Sequence, residues 1–170
     1  RGVMRGYHGL KEQTAETLRG DGWLATGDIG EYIDGFLRIT DRKKDLIKTS
    51  SGKYIAPQKV EGVLKAACPY VSQVVVHGEG RKYATALITL DPEAIEGWAT
   101  GQGKPGDSAA DLAASSEVRE MIEGYVTTAN QKLERWETIK RFEILPAEFT
   151  VDEGEVTPNQ KIRRKAVEQK

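Results

Sequence analysis

Between Tyr54 and Leu90 the hydrophobic repeat changes period twice, and that switch restricts the chain to folds that mix strand and helix. Tyr54-Ile55 is extended in pattern. Pro57 then stands where a first helical turn tolerates proline, and Val60, Val63, Leu64 and Ala67 recur at the i, i+3, i+4, i+7 spacing of one helical face, stopping at Cys68-Pro69. Two runs of strand character follow, Val71 to His77 and Tyr83 to Leu90, joined by a turn at Gly78 to Gly80; both have the pattern of half-buried strands.

The flanks extend the same alternation. Asp34-Gly35, set between Glu31 to Ile33 and Phe36 to Thr40, is a two-residue hairpin signal. The charged knot DRKKD precedes Leu46-Ile47, and a Ser-Ser-Gly-Lys turn returns to Tyr54-Ile55, which predicts strand, tight loop, strand. Asp91-Pro92 caps a short helix carrying Ile95 and Trp98, and TGQGKPGDS reads as a flexible loop. Val118, Met121, Ile122, Tyr125, Val126, Ala129 and Leu133 share one face of a helix expected over Ser116 to Trp136, with Ser116 and Glu117 at its amino end. Phe142 and Ile144 mark a last strand before Pro146, followed by a polar loop and a short basic helix at the end. The order implies an α+β domain from about Asp41 onward, with a fragment of β structure before it and the boundary at the charged knot.

Composition narrows the classes. The 170 residues suit one ordinary domain and part of a second, and 25 basic against 26 acidic residues give no overall field for nucleic acid or membrane. A single cysteine, Cys68, excludes an internal disulfide and fits a reducing compartment; no run of eighteen apolar residues and no signal-like segment occurs. A cytoplasmic protein is the expectation. The opening RGVMRGYHG, with Arg1 in place of Met, reads as the middle of a longer chain.

Three short elements could carry chemistry. Asp28, between Gly27 and Gly30 in TGDIG, is either a turn residue capping nearby amides or a carboxylate that accepts two ribose hydroxyls. Arg42, Lys43 and Lys44 form either a solvated charge run or a nucleotide contact and a pivot, and Gly52 either permits positive φ or lets backbone approach a ligand. Lys161, in the terminal TPNQKIRRK, would by itself be one more exposed lysine.

GWLATGDIG, ITDRKKDLIKTSSGKYIAP and TPNQKIRRK occur in that order across most of the chain. Together they resemble the adenylate-forming superfamily of acyl-CoA synthetases, firefly luciferase and peptide-synthetase adenylation domains. The wording DRKKDLIKTSSGKYIAP and the helical insertion from about Gly101 to Ala129 are most similar to bacterial long-chain fatty acyl-CoA synthetases.

What the resemblance implies is the C-terminal portion of such a ligase. Residues 1–41 would end the large nucleotide- and acyl-binding domain, and residues 42–170 would form a small mobile domain, a short β-ribbon and small sheet flanked by helices, with its hinge near Lys44. A fatty acid and ATP would yield acyl-AMP and pyrophosphate, and CoA would then take the acyl group as a thioester. Asp28 and Arg42 would bind the nucleotide, Lys161 would serve adenylation, and Lys48, Gly52, Lys53 and Tyr54 would line the CoA channel in the thioester-forming arrangement. ATP with Mg2+ would be held largely by the N-terminal domain, the main protein partner; no metal site belongs to this segment, and the isolated segment would be inactive. No transmembrane segment is expected, and peripheral membrane contact stays open. Two other readings stand beside this one: a fatty acyl-AMP ligase that passes the acyl group to a carrier protein, and a nucleic-acid-binding module using Arg42 to Lys48 and KIRRK.

Overall fold

Asp34 and Gly35 both adopt positive φ, 52° and 83°, the backbone that lets a two-residue turn follow the twist of its strands. They join β1 (Asp28–Ile33) to β2 (Phe36–Arg42) in antiparallel register, with Ile33 opposite Phe36 and Asp28 opposite Arg42. The computed structural model describes residues 2–159 and 161–168. It divides the chain into two units, Arg1–Asp45 and Leu46–Lys170. Gln160 of the terminal motif, and the last two residues of the expected basic helix, lie outside the described residues.

The first unit also contains α1 (Lys11–Thr17), which sequence periodicity did not signal because KEQTAET has no apolar repeat. Among the described residues of this unit only Asp41 is buried, while Trp23, Tyr32 and Phe36 are 77%, 79% and 78% exposed. A two-stranded ribbon with no buried face is marginal by itself.

The second unit starts with a small antiparallel ribbon, β3 (Ile47–Lys48) and β4 (Tyr54–Ile55). Next comes α2 (Pro57–Ala67), with Val60 and Leu64 fully buried as their spacing predicts. β5 (Val71–His77) and β6 (Ala84–Leu90) are antiparallel, and β7 (Ile139–Leu145) is parallel to β6, giving the order β5-β6-β7. The parallel pair requires a crossover, supplied by α3 (Pro92–Gly101), α4 (Ala109–Ala113) and α5 (Ser116–Asn130). The mixture of small sheets and helices agrees with the expected α+β class.

Two local readings need correction. α5 stops at Asn130, short of Trp136, because the Asn130 side chain clasps the first residue of β7: its Oδ1 accepts the Ile139 N–H at 2.8 Å and its Nδ2 donates to the Ile139 carbonyl at 2.9 Å. α5 does begin at Ser116 with Glu117 in its first turn, as expected, and is capped by Ser115, whose Oγ accepts the Val118 N–H. The expected loop 100–108 is shortened, since α3 runs to Gly101 and Ser108 opens α4 with a reciprocal Ser108–Asp111 capping box.

Strands β5 and β6 are covered on both faces rather than one. Val74, Val76, Ala86 and Ile88 join the main core beneath the helices. Val75 alternates to the other face and packs with Phe149, Val156 and Val167, supported by Leu87, Leu145 and Ile162. That second layer is the terminal segment, ending in α6 (Arg164–Val167).

Cys68 lies in the main core and is 1% exposed. Burial raises its thiol above the usual 9.0, outweighing hydrogen bonds from the Tyr70 and Val71 backbone. The folded thiol therefore holds its proton more tightly than the unfolded one, so its contribution is complete below about pH 9 and is lost as pH rises further. At about pH 7.5, iodoacetamide is expected to modify Cys68 only through unfolding; labelling as fast as in a denatured control would contradict this.

Candidate functional site

The bond pattern of the first ribbon brings Asp28 and Arg42 together although thirteen residues separate them. They are cross-strand partners, and Arg42 Nε lies 3.5 Å from Asp28 Oδ1. The backbone around them is fixed: the Asp28 N–H donates to Thr26 Oγ1 at 3.2 Å, the Lys43 N–H to the Gly27 carbonyl at 2.8 Å, and the Arg42 N–H to the buried Asp41 Oδ1 at 2.7 Å. Both functional side chains remain reachable, at 32% and 56% exposure. A carboxylate oriented by a guanidinium and open to solvent can accept a diol, and the guanidinium keeps donors for a second anion. Lys44 sits in the 3-10 turn Lys43–Asp45, at the end of the first unit.

Lys48, Gly52, Lys53 and Tyr54 belong to one loop of the second unit. Buried Thr49 organises it: the Thr49 hydroxyl donates to the Lys53 carbonyl at 3.0 Å and accepts the Lys53 N–H at 3.1 Å, and the Gly52 N–H donates to the Thr49 carbonyl at 2.9 Å. The loop is tied to the β5–β6 turn, because Glu79 Oε2 accepts the Lys48 N–H at 2.7 Å and the Arg81 carbonyl accepts the Ser50 N–H at 2.9 Å. Gly52 has φ +78°, and a Cβ built there meets nothing within 4 Å. Within this chain glycine is therefore required by backbone conformation rather than by lack of space. Tyr54 is 56% exposed, and Lys48 Nζ lies 5.9 Å from its ring centre.

Beside this loop runs an open groove of about 670 Å³ with Ser51 and Lys53 on one edge. Lys82, Arg135, Lys140 and Arg141 also line it, so among the described residues five cations and no carboxylate face the space. Trp136 supplies an aromatic wall with Lys53 Nζ 5.0 Å over its ring. Lys59 and Glu137, paired at 2.8 Å, hold the turn that carries Trp136 against α2. Sequence reasoning named Lys53 but missed Lys82, Arg135, Trp136, Lys140 and Arg141, because they come from separated segments and none stands in a recognisable motif.

Lys161 occupies a different loop of the second unit. Its N–H donates to Thr157 Oγ1 at 3.1 Å, its carbonyl accepts the Thr157 N–H at 2.8 Å, and Val156 bridges Ile162 behind it. The side chain is exposed. Arg42 and Arg164, one arginine from each basic stretch, are engaged with Asp28 and Glu61. Among the described residues no group of three or more His, Cys, Asp or Glu converges as a metal site, and no helix is long and apolar enough to cross a membrane.

Residues 44–170 match the model of the AMP-binding enzyme C-terminal domain. The chain belongs to this family. Among its relatives, the long-chain-fatty-acid–CoA ligase FadD15 of Mycobacterium tuberculosis is 44% identical over 170 residues, covering 99% of this chain and 28% of that protein. Human long-chain-fatty-acid–CoA ligase 1 is 38% identical over 166 residues, covering 95% of this chain and 24% of that protein. The adenylation domain of a carboxylate reductase from Mycobacterium chelonae superposes with a TM-score of 0.72 at 25% identity, over 97% of this chain and 24% of that one. The chain thus spans about a quarter of the length of these relatives. Two exposed loops of the second unit stand on different elements: the one around Gly52 joins β3 to β4, and the one around Lys161 is closed by the Val156–Ile162 bridge.

Proposed function

We propose that this chain is the C-terminal portion of a long-chain fatty acid–CoA ligase, which activates a fatty acid with ATP to acyl-AMP and pyrophosphate and then transfers the acyl group to CoA. The observation that carries this reading is the 44% identity to FadD15 along 99% of the chain. The exposed aromatic side chains of the first unit support a larger N-terminal domain as its packing partner, since Trp23, Tyr32 and Phe36 find no cover within that unit.

In the first half-reaction Asp28 accepts the ribose hydroxyls of ATP, and Arg42 both orients that carboxylate and donates to the nucleotide. Lys161 brings an ammonium to the acid carboxylate and the α-phosphate, where charge develops as pyrophosphate leaves. The small domain then turns about Lys44, which stands in a short 3-10 turn at the unit boundary, so that the Gly52 loop faces the adenylate. Lys48, Gly52, Lys53 and Tyr54 border the path of the pantetheine arm. The neighbouring cationic groove with Trp136 suits the phosphates and base of the CoA nucleotide. ATP with Mg2+ would be held largely by the N-terminal domain.

The test uses the full-length ligase with palmitate, ATP and CoA. Palmitate-dependent pyrophosphate exchange and palmitoyl-CoA formation are both expected. Adenylate formation with transfer only to a phosphopantetheinylated carrier protein would replace this reading with that of an acyl-AMP ligase. Cytoplasmic residence belongs to the same proposal and is checked by fractionating cells that express the full-length protein.

A further inference from the structure

Arg164 follows Lys161 by three residues and opens α6, a helix of four residues that is too short to hold itself. Its guanidinium donates from Nη1 to Glu61 Oε1 at 2.6 Å and from Nη2 to Glu61 Oε2 at 2.7 Å, a parallel fork between groups 103 residues apart. Glu61 Oε1 also accepts the Val76 N–H at 2.8 Å, and Arg164 Nη1 reaches the Val76 carbonyl at 3.5 Å. The pair is largely withdrawn from water, with side chains 22% and 12% exposed. One carboxylate on α2 therefore fastens the terminal segment to β5.

The rest of the segment is fastened around the same point. The Arg163 N–H donates to the Glu155 carbonyl at 2.6 Å, Val167 is fully buried in the second layer, and His77 Nδ1 lies 3.0 Å from Glu168 Oε1 beyond α6. Among the described residues Lys161 itself has no comparable tether: its side chain is exposed, and its main chain is held through Thr157. The position of its ammonium is thus set by what fixes Val156 and Ile162 on one side and Arg164 on the other.

We infer that the Glu61–Arg164 pair is a positioning device for Lys161, acting on adenylation and not on thioester formation. Neither residue touches the reacting atoms. A bidentate fork fixes direction as well as distance, which a lysine in place of Arg164 would supply only in part. The inference rests on the assignment of Lys161 to adenylation.

The experiment places Arg164→Met, Arg164→Lys and Glu61→Gln in the full-length ligase, with Lys161→Ala alongside. Acid-dependent pyrophosphate exchange is expected to fall about tenfold in kcat for Arg164→Met and less for Arg164→Lys, with KM for ATP and acid changed by less than about twofold. Thioester formation from supplied palmitoyl-adenylate and CoA should stay within about twofold of wild type, a split that general loosening of the domain would not produce. If Arg164→Met does not fold, Arg164→Lys and Glu61→Gln must show the same split. Equal loss of both half-reactions, or unchanged exchange in all three variants, overturns the positioning role. Normal exchange in Lys161→Ala overturns the assignment of Lys161 instead, and the inference with it.

Discussion

In the full-length ligase, Lys161→Ala is expected to reduce acid-dependent pyrophosphate exchange by about 10²–10³-fold, the range found when one donor to a developing negative charge is removed. The fold should be almost indifferent, within about 0.5 kcal/mol, because an exposed side chain is lost. The two bonds that shape the loop use the Lys161 N–H and carbonyl, which alanine keeps. Among the described residues no carboxylate pairs with the Lys161 ammonium, so its removal leaves no buried charge behind. Conversion of supplied palmitoyl-adenylate and CoA to the thioester should continue. Equal rates for mutant and wild type in both assays would show that the adenylation lysine lies elsewhere.

Gly52→Leu is expected to have the opposite signature: exchange close to wild type, and thioester formation from supplied adenylate reduced about a hundredfold, the scale of loss when a reacting group is held out of line. Two effects combine at this position. A side chain at φ +78° carries about 1–2 kcal/mol of backbone strain, whatever the surrounding space. A Cβ built there meets nothing within 4 Å, so the first side-chain atom finds no obstruction among the described residues. Gly52→Ala separates the two, because alanine carries the same left-handed strain as leucine with almost none of its bulk; a much smaller loss for Ala than for Leu identifies bulk as the cause. Normal thioester formation in Gly52→Leu would remove the loop from the CoA path.

Much of the local structure was legible because it depends on neighbours in the chain. Asp34-Gly35 specifies its hairpin through two positive φ angles, and Pro57 with Val60, Val63, Leu64 and Ala67 specifies α2 through a first-turn proline and an apolar stripe. Asp91 caps α3 through its own side chain, accepting the Ala94 N–H at 3.0 Å. The periodicity of α5 was equally clear, yet its end was misplaced: Leu133 still packs on the core from a turn, and the stop comes from Asn130 meeting Ile139, nine residues on. α1 was invisible for the opposite reason, having no apolar repeat and no buried residue.

The sequence by itself determined the class of fold, the family and the order of the motif-bearing loops, because turn chemistry, capping and hydrophobic period act over a few residues and motif wording needs no geometry. Only the tertiary structure decided the parallel pairing of β7 with β6 and the covering of the second sheet face by Phe149, Val156 and Val167. It alone gathered Lys53, Lys82, Arg135, Lys140 and Arg141 around one groove and joined Glu61 to Arg164. Each of these joins segments far apart in the chain. Which of many possible distant pairs form is settled by how the whole core packs and where buried charges find partners, and no local pattern records that choice.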